Sequence, residues 1–191
     1  MERGAAMSAW KRRVIGLLAG GILLVALGVV GYHWYMYPYG YHPACARALK
    51  LALIQYAGEN DGKYPEGEAT PEASLSLLYP EYMSGKILAG KSKSGAVADK
   101  ILKAGGRLGP DTCDWHYVEG LTENDNMEIA LFWDKTNIDH NGRRRFDGAH
   151  EVFRMWSGSP EYIPAKDWDK FLAEQEELLK ERNKRLKDEG K

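Results

Sequence analysis

The sequence predicts an α+β protein: an N-terminal transmembrane helix, a second helix packed on a small antiparallel β-sheet, and a C-terminal charged helix. Three observations carry this. Residues 14–41 contain no Lys, Arg, Asp or Glu; short aromatic and β-branched runs follow Cys113; and residues 165–189 carry an apolar-leaning stripe through dense charge. Over 191 residues, 26 basic and 27 acidic side chains leave a net charge of −1. That balance supplies no basic stripe for phosphates and argues against nucleic acid as a partner.

The apolar run from Val14 to Val30 (VIGLLAGGILLVALGVV) approaches the roughly 20 residues that a bilayer core demands. Lys11, Arg12 and Arg13 precede it, with Arg3 upstream, and Tyr32, Trp34, Tyr35, Tyr37, Tyr39 and Tyr41 follow. Positive residues remain cytoplasmic and aromatic rings settle at the lipid–water boundary, so the N-terminus is expected inside and the rest outside. Residues 1–13 are read as a cytoplasmic basic segment and 14–36 as the anchor. A cleaved signal shares the basic-then-apolar pattern, but bulky aromatics stand here where a small-x-small cleavage site belongs. The segment is therefore expected to stay attached. Gly16 and Gly20 offer a small surface for helix contact in lipid, although glycines are frequent in spanning helices anyway.

Tyr37 to Pro43 (YPYGYHP) should kink or stop that helix. A second helix is predicted from Ala44 to about Gly58, with Cys45, Leu49, Ala52, Leu53 and Tyr56 at helical spacing and Arg47, Lys50 and Gln55 elsewhere. The turn residues up to Pro65 close it. Thr70-Pro71-Glu72 reads as a cap with proline at the first helical position, and the helix that follows stops at Pro80. Residues 84–109 are rich in Gly, Lys and Ser. Exposed connections with one helical patch, Val97–Ala104, are expected there.

Strands are predicted at Asp114–Glu119 and Glu128–Trp133, then near Arg143–Phe146, turning at Asp147-Gly148 into His150–Trp156. The long charged helix over 165–189 has Trp168, Phe171, Leu172, Gln175, Leu178, Leu179, Arg182 and Leu186 along its stripe. Its first half should pack, while its second half reads as a solvated face laced with i,i+4 ion pairs. Cys45 and Cys113 both follow the anchor. In an oxidising compartment a bridge between them would contribute about 3–4 kcal/mol; two separately buried thiols are the other reading.

The quoted segments, taken in order, resemble a known family. LIQYAGENDGKYP (53–65), LSLLYPEY (75–82), HYVEGLT (116–122), IALFWD (129–134) and HNGRRRFDG (140–148) are similar to bacterial type II secretion pseudopilins and prepilin-like proteins, in the group with a histidine before an Asp-Gly hairpin. The resemblance covers roughly Pro43 to Trp156. It implies a pilin-like α+β domain over 43–157 in the periplasm, single-pass attachment to the cytoplasmic membrane, and partners among membrane lipid and other pilin-like or secretion-system proteins. His140, Asp147 and Gly148 carry the family's hairpin motif. The chain departs from the family at Arg12-Arg-Val-Ile-Gly-Leu-Leu, which lacks the Gly-Phe-Thr-Leu-x-Glu start, so prepilin cleavage and Glu-guided assembly are not implied.

Chemistry-bearing patterns are sparse. Asn137, Asp139 and Asn141 alternate ahead of Gly142, with Asp147 farther on, echoing the first half of a calcium loop. Position twelve is Gly148 instead of Glu, and Asn, Asp and Gly are also what a tight loop needs. His116, His140 and His150 lack compact metal-ligand spacing. No Gly-x-Ser-x-Gly elbow or phosphate loop occurs, and Glu123, Asp125 and Glu128 are only as many carboxylates as any loop offers. No catalytic residue is assigned. The chain reads as a non-enzymatic structural protein of a secretion or pilus-like assembly. Alternatives are an anchored binding module, with Trp115, Trp133 and Trp156 as platform for a glycan or peptide, and an anchored hydrolase.

Overall fold

The structure is a computed structural model and describes residues 9–38 and 44–190. The chain divides into two units, residues 1–41 and 42–191. In the first, helix α1 spans Ala9–Met36. At helical rise it is about 42 Å long, more than a hydrocarbon core of about 30 Å. Leu17, Leu18, Ile22, Leu24 and Val29 are exposed on every side of it. An isolated helix that is apolar all round has no water-facing stripe, so it is long and apolar enough to cross a membrane. Lys11, Arg12 and Arg13 sit in its first turns, where the helix dipole disfavours cations, so helix chemistry does not account for them. The Tyr37 N–H donates to the His33 carbonyl (2.8 Å) just before Pro38, where the sequence demands a stop. Residues 39–43 of the expected kink and residues 1–8, Arg3 included, lie outside the described residues.

In the second unit, α2 (Ala44–Glu59) buries Ala46, Leu49, Ala52, Leu53 and Ala57, close to the predicted face. Lys50 is a correction. It is buried, and its Nζ donates to the carbonyls of Arg154 (3.2 Å) and Met155 (2.9 Å), which pins α2 to the sheet. Burial lowers its pKa to about 8. Helix α3 (Pro71–Leu75) begins as expected, with the Thr70 hydroxyl accepting from the Ala73 N–H.

Residues 84–109 hold the expected helical patch but are packed where exposed connections were expected. They form α4 (Gly85–Ala89) and α5 (Gly95–Lys103) and bury Leu88, Ala89, Ala98, Leu102 and Leu108. The glycines here permit close helix approach: a Cβ on Gly95 would lie 2.9 Å from the Lys86 Cα. Their role is packing, which composition alone reads as looseness.

Four strands, β1 (Trp115–Tyr117), β2 (Ala130–Asp134), β3 (His150–Arg154) and β4 (Glu161–Ile163), form one antiparallel meander in the order β1-β2-β3-β4. Residues 143–146 are not a strand: the segment makes one isolated bridge, Ile138 with Arg144, and β4 takes the place beside β3. Register puts Trp115, Tyr117, Phe132 and Phe153 on one face, in a common core with α2. Trp133 and Val152 lie on the other, under helix α6 (Trp168–Asp188). There Phe171 meets Trp133 edge-on at 5.6 Å, and the Gln175 side chain accepts from the Ala130 N–H at 2.7 Å. Helix α6 continues to dock beyond its predicted half, since Arg182 and Arg185 both pair with the buried Asp125 (2.7 and 3.2 Å).

Candidate functional site

The densest polar chemistry in the domain lies where β2 ends and β3 begins. β2 is buried on both faces and closes with Asp134, and its neighbour across the ladder is Glu151; these side chains are 0% and 1% exposed. Carboxylates this deep are costly without partners. Two cations reach them from outside the sheet. Lys91, just past α4, contacts Asp134 Oδ2 at 3.3 Å and also pairs with Glu151 Oε2. Arg145, from the loop between β2 and β3, places Nη1 at 2.8 Å from Asp134 Oδ2 and Nη2 at 3.2 Å from Glu151 Oε2, and Nη1 also donates to the Ala149 carbonyl. Its guanidinium lies over the Tyr162 ring at 5.2 Å. Two positive and two negative charges balance.

His150 completes the group. Its Nδ1 lies 3.1 Å from Asp134 Oδ1, and its ring stacks on Trp168 at 4.0 Å. Burial pushes the Asp134 carboxyl up, but the hydrogen bond from His150 and the charges of Lys91 and Arg145 outweigh it and hold Asp134 below the usual range. The hydrogen bond to that carboxylate raises His150 in turn. Burial, with Glu151 close by, pushes Tyr162 up to about 12. Two buried oxygens lack a hydrogen-bond partner among the described residues, Glu151 Oε1 and Asp114 Oδ1.

Chemically this is a clamp. Arg145 ties the β2–β3 loop to the sheet, and Lys91 ties the segment after α4 to the same carboxylates. The cations are spent on internal partners, so the arrangement fixes two loops and presents no open nucleophile–base pair.

The expected calcium ligands fall within the clamped loop, where they serve its backbone. Asp139 Oδ1 accepts from the N–H groups of Asn141 (2.8 Å) and Arg143 (3.0 Å), and Asp147 Oδ1 accepts from Ala149 N–H (3.1 Å). The Asn137 carbonyl accepts from Arg145 N–H, and its amide sits beside Gly148. Among the described residues no group of three or more His, Cys, Asp or Glu side chains is gathered to hold a metal. Asn137, Asp139, Asn141 and Asp147, the candidate calcium ligands, thus take part in the loop's own backbone turns.

Asp147-Gly148 does turn the chain. Gly148 has φ +67°, and an added Cβ would meet the Ala165 Cβ at 3.1 Å. The turn does not join paired strands, because its first arm is held back by Arg145. His140 stands apart from the clamp, 3.5 Å from the Asn141 side-chain amide, and His116 stacks on Trp133 at 4.1 Å. The three histidines do not converge.

Of the two cysteine readings the structure holds the separate thiols, and the alternative tryptophan platform does not form. Cys45 and Cys113 are free thiols with no bridge: Cys113 Sγ is buried against the carbonyls of Leu88 (3.2 Å) and Trp115 (3.8 Å), and burial raises its pKa to about 12. Burial raises the half-buried Cys45 as well. The tryptophans form no platform, since Trp115 is in the core, Trp133 lies under α6, and Trp156 is exposed by itself.

Sequence reasoning missed Lys91, Asp134, Arg145 and Glu151 as a group. A signal was present: in IALFWD and HEVFRM a carboxylate interrupts an apolar strand, and a charge at such a position demands a partner. Comparison with protein families, curated proteins and solved structures found no match to this chain.

Proposed function

We propose that this chain is a membrane-anchored structural protein, in the manner of the pseudopilins, whose folded domain takes part in a secretion or pilus-like assembly outside the cytoplasmic membrane. The observation that carries the reading is α1, long and apolar enough to cross a membrane, with Leu17, Leu18, Ile22, Leu24 and Val29 exposed around it. Such a surface is stable only in lipid or against other helices. The domain adds support: its buried ions compensate one another, and a helix shares one core with a four-stranded meander, the layout that the family resemblance implies. The basic residues Lys11, Arg12 and Arg13 favour an inside N-terminus.

The test is chemical cross-linking of the intact protein in its native membrane, followed by alkaline extraction, pull-down and identification of what is attached. Retention in the membrane with secretion or pilus-like components is the expected result. Release by alkali refutes the anchor, and recovery of the chain as an unattached monomer refutes the assembly role.

A further inference from the structure

Closed to solvent, the clamp holds an amine against two carboxyl groups. The Lys91 side chain is 2% exposed, shut in by Glu151 and Asp134 and by the Trp115 ring, whose centroid lies 5.5 Å from Nζ. Arg145 contacts the same two carboxylate oxygens, so a second cation stands beside the amine. Desolvation and a neighbouring cation are what activate a lysine as a nucleophile.

The two carboxyl groups are held differently. Asp134 accepts at both oxygens, Oδ1 from His150 and from the Glu151 N–H (3.1 Å each) and Oδ2 from Arg145 (2.8 Å), and these bonds keep it ionised. Glu151 is gripped through Oε2 alone, by Lys91 and Arg145, while its Oε1 has no hydrogen-bond partner among the described residues. A buried oxygen without a donor is costly to keep, and its departure breaks no hydrogen bond.

We propose that Lys91 and Glu151 condense into an intramolecular amide, a covalent tie between the segment after α4 and strand β3 across 60 residues of sequence. The ion-paired clamp is the state before the step. Asp134, with Oδ2 3.3 Å from Nζ, takes a proton from the ammonium, and the free amine adds to the Glu151 carboxyl carbon, forming the N–C bond. The displaced electron pair moves onto Oε2, where Arg145 Nη2 at 3.2 Å stabilises it. Oε1 receives the two protons that the nitrogen gives up, relayed by Asp134, and leaves as water when its C–O bond breaks. One ammonium and one carboxylate become one amide and one water, with no other reactant. Asp134 and Arg145 are left as a balanced pair. Bulk water opposes amide formation, but groups held in line reach effective molarities of about 10⁵–10⁸ M, and this site excludes water. Two buried charges also disappear, and their desolvation cost with them.

The test is the intact mass of the full chain, kept folded in non-ionic micelles until its mass is constant, then denatured, digested and sequenced by tandem mass spectrometry. The expected chain is lighter than its sequence by one water, runs ahead of Lys91→Arg on a denaturing gel, and yields a branched peptide in which Glu151 acylates Lys91 Nζ. Lys91→Arg keeps the cation but cannot form the tie, so it should show the full mass, as should Glu151→Met. Asp134→Asn should slow the loss of water about 100-fold. Ring closure at Asp61-Gly62 or Asp147-Gly148 would also expel water, but that product reopens in alkaline hydroxylamine and the side-chain amide does not. The full sequence mass in the parent chain overturns the proposal whether or not the variants fold. A water loss that persists in Lys91→Arg, a branch from Lys91 to Asp134, or an unchanged rate in Asp134→Asn overturns it as well.

Discussion

Replacing Arg145 with Met removes one cation from the clamp while keeping an unbranched side chain beside Tyr162. Asp134 would retain Lys91 at 3.3 Å, the His150 hydrogen bond and the Glu151 N–H at 3.1 Å. Glu151 is worse placed. It would keep Lys91 alone, and its Oε1 has no partner to begin with. Breaking a buried pair on one side costs about 3–5 kcal/mol, a large share of the roughly 5–15 kcal/mol that holds a domain together. At a urea slope near 2 kcal/mol/M the midpoint should fall by about 1.5–2.5 M. The assay is urea unfolding of the full chain in non-ionic micelles, followed by the fluorescence of the buried Trp115 and Trp133. Because the unpaired charge sits on Glu151, adding Glu151→Gln should recover more than half of the loss. A loss under about 1 kcal/mol, or no recovery with Glu151→Gln, would refute the claim that the four charges are interdependent.

Four other outcomes are expected. His150 is raised by its bond to Asp134, so the stability it contributes is complete below its unfolded value of about 6.5 and is lost as pH rises through the higher folded value; the stability gap between the parent and His150→Phe should shrink from pH 6 to pH 8, and a constant gap contradicts this. Gly148→Ala should cost more than Gly142→Ala, about 2 against about 1 kcal/mol, because both have positive φ but only Gly148 faces a neighbour, the Ala165 Cβ; thermal melts of the two variants decide it. Asp125→Ala should free the end of α6, seen as faster amide exchange around Arg182 and Arg185 with little change near Phe171, and uniform exchange along the helix would show that Asp125 holds nothing. Maleimide should label Cys45 slowly and Cys113 only after unfolding, and a mobility change on reduction would reveal a bridge after all.

Much of this fold is written in short-range patterns. The apolar face of α2, the Thr70 cap and the stripe of α6 obey helical spacing, and the β1, β2 and β3 segments alternate or run apolar as buried strands do. The errors are equally physical. β4 has three residues of which only Ile163 is buried, so no hydrophobic pattern marks it; the backbone ladder with β3 creates it. Residues 143–146 have strand-like neighbours and a good turn after them, but Arg145 has two buried carboxylates to satisfy, and that demand prevails over the hairpin. The clamp itself was invisible as a unit because its members come from four separate segments. Each charge is ordinary in sequence, and only the tertiary structure reveals that they share one site.

The position of α6 in the chain has a bearing on how the protein is made. Trp133, the Ala130 N–H and Asp125 all belong to the sheet half of the domain, and each is completed by a residue of this last helix. While the ribosome is still at work on residues beyond Ile163, one sheet face has no cover. That face of the domain thus cannot close before α6 emerges. The cover is in place when α6 lies across Trp133.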